Sequence, residues 1–507
     1  MAPPGGVSDG APRLGQWPLY ALVVVAGLAH VALLREGHVW GDDFAMYIAH
    51  ARNLATGVDY SATGYLYNPL VPNVGPRAYP PGYPALLAPL YRVVGLDLHA
   101  FKVLQVVLFM AWLVLAGLLV ARDLGQRTAL VIVALFAASP WFFGFTDLVG
   151  SDVAFAVGCL GAILVADGRA RDRFDANAAL LAFMIFAAAS VRTVGILLLA
   201  ALLVTDLVQA RRLRRGTAGV GLLAGAALVA EKAIMGGERS YLDQLTPGLA
   251  HVVASNVREY AGALTTLWSA DLWLRADKVL AILLILLAAK GAMSRWRSIT
   301  NHDAFTALYL GVILLWPSNQ GGRFLVPLVP ALALYVATAL RDLVERAPIL
   351  GLVRSGLVAV LLAFFALGHA TAARGPLREG IGDPRFLQCT AFLAETSPAN
   401  ARVVFRKPRL LSLLSGRASS SYAIDQSQDG FWSYFTTLGA THLVVDNTWT
   451  SPDVDHEAKE YLRVVVAGRR DRLRAVFDNG AFQVYEISGV GGGNRQASAP
   501  ATSSPSP

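Results

Sequence analysis

The amino-acid sequence predicts a polytopic α-helical membrane protein that carries a small α/β domain on the outer side of the membrane. Of its 507 residues, 55% are hydrophobic and only 15% are charged, whereas soluble domains carry roughly 25% charged residues. The apolar residues form long blocks, and the basic residues cluster in the short loops between them. The net charge of +8 therefore reflects membrane topology, and nucleic acid is not an expected partner.

A transmembrane helix needs about 20 predominantly apolar residues, or somewhat fewer when its ends are polar. The first apolar block has no small-residue cleavage site, so we expect it to be a retained span rather than a removed signal peptide. We predict about eleven transmembrane helices, at residues 18–34, 101–121, 128–146, 153–166, 178–191, 194–208, 217–235, 278–290, 304–317, 324–340 and 355–372.

The loops between these blocks predict the orientation. Basic loops such as ARDLGQR (121–127) and QARRLRRG (209–216) alternate with loops that hold fewer basic residues, such as TDLVGSD (146–152). The positive-inside rule places the basic set in the cytoplasm. An odd number of spans then leaves the N-terminus inside and the C-terminal region outside.

This topology predicts the domain organisation. Residues 18–372 form a transmembrane domain with two external loops, and a third external segment follows it. The external loops are 35–100 and 236–277, the external α/β domain is 373–488, and the disordered ends are 1–17 and 489–507. Within the first loop, AYPPGYPALLAPLYRVVG (78–95) predicts a helix at the membrane interface, because its prolines crowd the first turn.

The external C-terminal region changes from apolar blocks to mixed patterns. DPRFLQCTAFLAETSP and PRLLSLLSGRA predict helices, the second capped by a glycine. ARVVFRK and THLVVDN predict strands, and LRAVFDNGAFQVYEI predicts two strands around an Asn-Gly hairpin turn. These elements together indicate a small α/β domain.

Two adjacent carboxylates, Asp42 and Asp43, follow the first span directly. One of them is explained as a helix cap before FAMYIAHARNL, but capping does not explain both. Trp40, Tyr47 and Arg52 surround the pair, as a ligand site requires. A carboxylate at the boundary between water and lipid can accept a proton from a hydroxyl group.

Other polar residues also lie at predicted outer helix ends. Asp147 and Asp152 are explained either as caps or as substrate ligands. Arg192 and Arg323 lie where the positive-inside rule depletes arginine, which favours an anionic partner over simple snorkelling to the lipid headgroups. Arg77 is a third cationic candidate.

The sequence gives little support for a metal site or for a disulfide. Cys159 lies in an apolar block and Cys389 lies in the distant external region, so neither predicts a disulfide. His38, His50 and His99 lie in or beside the first external loop, and carboxylates with imidazoles are compatible with a divalent cation. No spacing fixes such a site, so we assign no metal ligands.

The order of the motifs resembles that of the C-type (GT-C fold) membrane glycosyltransferases, which use polyprenyl-phosphate sugars. This group includes the protein O-mannosyltransferases and the aminoarabinose transferases that modify lipid A. The resemblance spans most of the chain and rests on GDDFAMYIAHARNLATG (41–57), YPPGYPALLAPLYRVVG (79–95), GSDVAFA (150–156), VRTVGILLL (191–199), GRFLVPLVPALAL (322–334) and RKPRLLSLLSGRA (406–418).

In this family an acid in the first external loop is the base, usually with a second acid directly after it and an aromatic residue four positions later. Asp43 has that spacing to Tyr47, with Phe44 where the second acid is common, and Asp42 is the alternative base. The aminoarabinose transferases carry an acid and a lysine before their paired prolines. Here Ala78 and Tyr79 stand there, so an aminoarabinose donor and a lipid A acceptor do not follow.

The resemblance implies transfer of a sugar, with inversion, from a polyprenyl-phosphate donor to a hydroxyl of a lipid, glycan or protein acceptor. The reaction would take place on the outer face of a bacterial inner membrane. Asp43 or Asp42 would be the base, and Arg192, Arg323 and Arg77 would bind the donor phosphate. The substrate-binding residues would be Tyr47, Tyr79, Asp152 and Asp147.

Three alternatives compete with this interpretation. A polymerase or ligase of lipid-linked glycans also faces outward, but usually relies on arginines and a histidine in large loops and lacks a C-terminal soluble domain. A transporter or flippase places charges near the bilayer midplane and often has inverted repeats, whereas here the charges lie at the outer boundary. The third alternative is an inactive relative that retains the scaffold.

Overall fold

The structure is a computed structural model, and it describes residues 16–71, 75–168, 172–235, 249–268, 276–317, 320–372, 374–377, 382–424, 427–448 and 454–488. The predicted disordered ends, except for Gln16 and Trp17, lie outside the described residues, as do parts of the predicted loop 236–277. The helices, in chain order, are α1 (Trp17–Leu33), α2 (Asp42–Thr56), α3 (Gly82–Val94), α4 (Leu98–Leu124), α5 (Gln126–Ala138), α6 (Pro140–Thr146), α7 (Asp152–Gly168), α8 (Ala176–Val191), α9 (Leu197–Ala210), α10 (Arg215–Met235), α11 (Leu249–Trp268), α12 (Ala276–Arg295), α13 (Asn301–Leu315), α14 (Val329–Arg346), α15 (Leu350–Thr371), α16 (Pro384–Thr396), α17 (Pro408–Ser415), α18 (Gln428–Leu438) and α19 (Val454–Gly468).

The strands are β1 (Tyr65–Leu66), β2 (Arg402–Val404), β3 (Ala418–Ser420), β4 (His442–Asp446), β5 (Leu473–Asp478) and β6 (Phe482–Ile487). The chain divides into two compact units, of which only the described residues are discussed. The first unit comprises Met1–Val39, Tyr47–Ser61 and Arg77–Leu377, and the second comprises Trp40–Met46, Ala62–Pro76 and Arg378–Pro507.

The first unit is built from apolar helices. Each predicted span coincides with a helix or with a pair of consecutive helices. Among the described residues, five helical segments are long and apolar enough to cross a membrane on their own, and a sixth span results if one bent pair is counted as one. These helices indicate an integral membrane protein, whereas the number of eleven spans and the orientation stay predictions.

The bent pair is α5 and α6, which meet at 66°. Pro140 has no N–H group and cannot continue α5, so carbonyls at the end of α5 need other donors. His30 Nε2 lies 3.1 Å from the carbonyl oxygen of Ala137 and His369 Nε2 lies 3.0 Å from that of Ala138. Because a carbonyl only accepts hydrogen bonds, both imidazole nitrogens act as donors, and together they stabilise the break.

Ion pairs join the predicted cytoplasmic loops at one end of the first unit. Arg122 Nη1 lies 2.7 Å from Asp167 Oδ2, and Arg295 Nη2 lies 2.8 Å from Asp123 Oδ2. Arg122 and Asp123 lie in the basic loop 121–127, and Asp167 and Arg295 lie at the ends of α7 and α12, where two further basic loops begin. The structure therefore confirms that these loops share one end of the helices, as the loop analysis requires.

The second unit contains a mixed sheet with the strand order β1-β3-β2-β4-β6-β5. The first four of these strands run parallel, and β6 is antiparallel to both β4 and β5. The predicted strands coincide with β2, β4, β5 and β6, and the predicted helices with α16 and α17. Strand β1 was not predicted, and it brings part of the first external loop into this sheet.

A buried carboxylate holds three elements of the first unit together. Asp147 follows α6, and its side chain accepts hydrogen bonds from Arg35 Nε at 2.7 Å and from Lys102 Nζ at 2.8 Å. Lys102, in α4, is 1% exposed, and its ammonium also donates to the carbonyl of Arg35. A buried ammonium is tolerated only when such partners are present.

Replacement of Asp147 by Asn should therefore destabilise the protein strongly. Asp147→Asn leaves the Lys102 ammonium buried without its compensating charge, and breaking such a pair costs roughly 3–5 kcal/mol. The measurement is the thermal unfolding midpoint in one detergent. The matched control is Asp172→Asn, because Asp172 forms an exposed pair with Arg212, which contributes about 0–1 kcal/mol. Equal midpoints for the two variants would contradict this account.

Candidate functional site

The first unit contains a buried carboxylate that is shared by two arginines. Asp152 is the first residue of α7 and is 1% exposed. Its Oδ1 lies 2.6 Å from Arg192 Nη2, and its Oδ2 lies 3.2 Å from Arg323 Nε. Two cations and one carboxylate leave one net positive charge in this cluster, which we call the Asp152 cluster.

The chain brings these side chains together at the ends of three elements. Arg192 directly follows α8, and Arg323 lies in a 3-10 helix (Gly321–Leu325) that precedes α14. Asp152 begins α7, where a carboxylate interacts favourably with the helix dipole. The sequence analysis predicted these three positions on one face of the membrane. Their contacts confirm that they share one end of the helices.

Two glycines of the sequence motifs allow the close packing beside Arg192. A Cβ atom on Gly195 would lie 2.6 Å from the backbone nitrogen of Ala189, in α8. A Cβ atom on Gly82 would lie 2.6 Å from the backbone carbon of Ser190. Any larger residue at either position would displace the end of α8, from which Arg192 extends.

Tyrosines and a serine lie beside the Asp152 cluster. Ser151 Oγ accepts a hydrogen bond from Arg192 Nε at 3.1 Å, and it lies 3.1 Å from the hydroxyl of Tyr47. The ring of Tyr47 packs edge-on against the rings of Tyr79 and Tyr83. Five predicted site residues are therefore brought together in the first unit: Tyr47, Tyr79, Asp152, Arg192 and Arg323.

The second unit contains the predicted base. Asp43 lies in the first turn of α2, and its side chain is 32% exposed. Its Oδ1 lies 3.8 Å from Nη1 of Arg409, a buried arginine at the start of α17. The Arg409 guanidinium lies over the ring of Tyr65, 4.8 Å from its centroid. The side chain of Asp42 lies outside the described part of the structure.

Sequence reasoning did not assign a role to Arg409 or Tyr65. The RKPRLLSLLSGRA motif contains Arg409, but no local pattern connects this motif to the first external loop. The connection arises because β1 pairs with β3, which begins at the last residue of that motif. A signal for this pairing would have to join residues several hundred positions apart.

The remaining predicted residues lie elsewhere in the first unit. Asp147 belongs to the pair with Lys102 and Arg35 described above, and Arg77 is an exposed residue of a 3-10 helix (Pro76–Ala78). Their roles in substrate and phosphate binding stay predictions.

His38 and His50, in the first external loop, are held by contacts with other protein groups. Burial, together with the nearby Lys102 ammonium, lowers the pKa of His38 to about 3, and its Nε2 accepts a hydrogen bond from the backbone N–H of Val149 at 2.7 Å. His50 stacks on Tyr60. Within the described residues, no group of three or more His, Cys, Asp or Glu side chains is placed to hold a metal ion.

The geometry allows two chemical roles. A half-exposed carboxylate beside a fixed guanidinium, as at Asp43, is suited to accept a proton from a bound hydroxyl. A preorganised group of arginines with net positive charge, as in the Asp152 cluster, is suited to stabilise an anion that forms during a reaction.

The packing around Gly195 can be tested directly. Gly195→Ala should lower the thermal unfolding midpoint, because overpacking of this kind costs roughly 1–3 kcal/mol. The control is Gly225→Ala in α10, where an added Cβ meets nothing within 4 Å and Ala favours the helix by about 1 kcal/mol. A midpoint for Gly195→Ala at or above that of the wild type would contradict the close approach.

Comparison with known proteins gives a match at the level of the fold. No family model matches this sequence, and no curated protein matches it. Among solved structures, apo ArnT from Cupriavidus metallidurans matches with a TM-score of 0.59 at 14% identity, and the match covers 95% of this chain and 100% of that chain.

Two further structures match over most of this chain. The oligosaccharyltransferase of Archaeoglobus fulgidus, tethered to an acceptor peptide, has a TM-score of 0.56 at 12% identity, with 85% of this chain and 69% of that chain covered. The arabinofuranosyltransferase AftD from mycobacteria has a TM-score of 0.52 at 15% identity, with 94% of this chain and 40% of that chain covered.

All three neighbours are GT-C fold glycosyltransferases, and at these identities the likeness concerns the fold. The resemblance seen in the sequence motifs is thereby confirmed at the level of three-dimensional structure. The chain has the fold of the GT-C membrane glycosyltransferases.

Proposed function

We propose that this protein is a membrane glycosyltransferase that transfers a sugar from a polyprenyl-phosphate donor to a hydroxyl group of a lipid, glycan or protein acceptor. The observation that carries the proposal is the Asp152 cluster, a preorganised cationic group at the ends of apolar helices in a GT-C fold. A lipid-linked donor presents its phosphate at such a helix end.

Structures with the same fold support the choice of donor. ArnT from Cupriavidus metallidurans has been solved with undecaprenyl phosphate, and the match covers 95% of this chain at a TM-score of 0.54. The Archaeoglobus fulgidus oligosaccharyltransferase has been solved with a dolichol-phosphate. Both ligands are lipid phosphates, and an arginine is the side chain best suited to bind a phosphate with two parallel hydrogen bonds.

The reaction needs a base and a site for the departing phosphate. Polyprenyl phosphate is already a competent leaving group, so no strong general acid is required, unlike in a glycosidase with its two carboxylates. Asp43 takes the proton from the acceptor hydroxyl, and Asp42 is the alternative base. Arg192 and Arg323 stabilise the departing phosphate, with Arg77 as a third candidate. Attack opposite the phosphate inverts the anomeric centre.

Asp152 has a positioning role in this proposal. Its carboxylate holds two guanidinium groups that would otherwise repel each other, and it fixes their orientation before the donor binds. One net positive charge remains for the phosphate. Preorganised charges of this kind stabilise a transition state without reorganisation at the moment of reaction. We place the reaction on the outer face of a bacterial inner membrane.

The base is tested by sugar transfer with purified protein and synthetic polyprenyl-phosphate donors, assayed sugar by sugar. Asp43→Asn should lower kcat by roughly 100- to 10,000-fold, the usual contribution of a general base, and the product of the wild type should have the inverted anomeric configuration. Asp172→Asn, which alters an exposed surface pair, should retain activity.

Asp42→Asn is compared in the same assay. If it loses activity while Asp43→Asn keeps it, the base is Asp42. If no donor is consumed, or if both variants match the wild type, the proposed transferase mechanism is wrong and a transporter becomes the better interpretation.

The phosphate-binding role of Arg323 makes a separate prediction. Arg323→Gln leaves Asp152 paired with Arg192, so the fold should be retained while the net positive charge of the cluster is lost. We expect kcat to fall roughly 100- to 1,000-fold, as for the loss of one transition-state donor. The control is Arg212→Gln, an exposed arginine. Unchanged kcat in a folded Arg323→Gln variant would exclude this role.

A further inference from the structure

A cationic cavity lies within the second unit, beside the start of α17. It is a shallow cavity that is open to solvent, and it is lined by Trp40, Gly41 and the run Arg406–Leu410. Among these lining residues, all of them described, three are cationic and none is acidic. Asp446 and Asp43 each pair with one of the two arginines, so these three cations and two carboxylates leave one net positive charge, which attracts anions.

Two of the three cations are held in place. The Arg406 Nε and Nη2 groups donate to Oδ2 of Asp446 at 2.8 and 2.6 Å. Oδ1 of Asp446 accepts hydrogen bonds from the backbone N–H and hydroxyl of Thr448. Arg409 is 4% exposed and stacks on Tyr65. Neither arginine needs to lose much side-chain entropy when an anion binds.

The backbone adds to the positive potential. Lys407 is the N-cap residue of α17 and Pro408 occupies its first turn, a position where proline favours helix formation. The N-terminal end of a helix carries a partial positive charge and presents first-turn N–H groups, here those of Arg409 and Leu410. Ser412, in the same helix, donates to the carbonyl of Gly64 at 3.0 Å, which fixes α17 beside the segment that contains β1.

We propose that this cavity binds a phosphate group next to Asp43. Guanidinium groups, an ammonium and helix N–H groups together match the oxygens of a phosphate ester, and the opening to solvent leaves a path for the group that the phosphate carries. The phosphate belongs either to the acceptor or to the lipid carrier of the donor, and in the second case this cavity replaces Arg192 and Arg323 as the site of that phosphate. The identity of the molecule that bears this phosphate rests on the proposed function. The binding of a phosphate does not, because binding requires no sugar transfer.

The test measures binding of two probes, undecaprenyl phosphate and the water-soluble phenyl phosphate, to the full-length protein in detergent. Lys407→Gln should raise the dissociation constant at least tenfold, and Lys407→Arg, which retains the charge, should restore the wild-type value. The loss should be larger at low salt than at high salt, because ions screen the interaction. The matched control is Arg463→Gln, because Arg463 is an exposed cation of the same unit that pairs with Glu460.

The two probes separate the sources of the phosphate. If the substitution weakens the binding of both probes, the cavity recognises the phosphate group alone, which fits a phosphate on the acceptor. Weakened binding of undecaprenyl phosphate alone assigns it to the lipid carrier. If Lys407→Gln binds both probes as the wild type does, or if the wild type binds neither, the proposal is wrong. The binding result is independent of the transfer assay, so either proposal can fail while the other stands.

Discussion

The shared carboxylate of Asp152 is the interaction on which the geometry of the first unit depends. Burying a carboxylate costs several kcal/mol, and this cost is offset only when fixed cations and hydrogen-bond donors surround the carboxylate. Arg192 and Arg323 meet that requirement from two separate elements. Each arginine in turn needs the carboxylate, because two guanidinium groups that contact the same side chain repel each other. The start of α7, the end of α8 and the 3-10 helix before α14 are therefore held in one arrangement.

Much of the fold follows from local sequence patterns. The apolar blocks predicted helices at the correct positions, and the Asn-Gly turn predicted the hairpin of β5 and β6. The glycine after PRLLSLLS predicted the end of α17, where Gly416 adopts the left-handed conformation. These features are encoded within about 20 residues of sequence, so that helical periodicity, apolar length and turn chemistry reveal them.

Other features depend on contacts between distant parts of the chain. The hydroxyl of Ser420 donates to the carbonyl of Leu66, 354 positions earlier, and the pairing of β1 with β3 involves only two residue pairs. A strand of two residues has no periodicity to detect. The proximity of Asp43 and Arg409 depends on such contacts, which explains why the predicted base was found from the sequence and its cationic neighbour was not. Helix α11, within the predicted loop 236–277, was missed because its polar residues interrupt the apolar pattern.

The residue before the paired prolines connects the fold to the choice of substrate. The aminoarabinose transferases, which this sequence resembles, carry a lysine there, whereas this chain has Tyr79. Its buried ring packs against Tyr47, and its carbonyl accepts a hydrogen bond from the hydroxyl of Tyr60 at 3.0 Å. A lysine ammonium in this aromatic setting would be desolvated, so the position favours an uncharged residue. The cations that we propose for a phosphate accordingly lie elsewhere in the chain, at Arg192 and Arg323 and in the run Arg406–Arg409. The position before the paired prolines can thus differ in charge while the GT-C fold is retained, since a fold does not by itself determine the chemistry of a site.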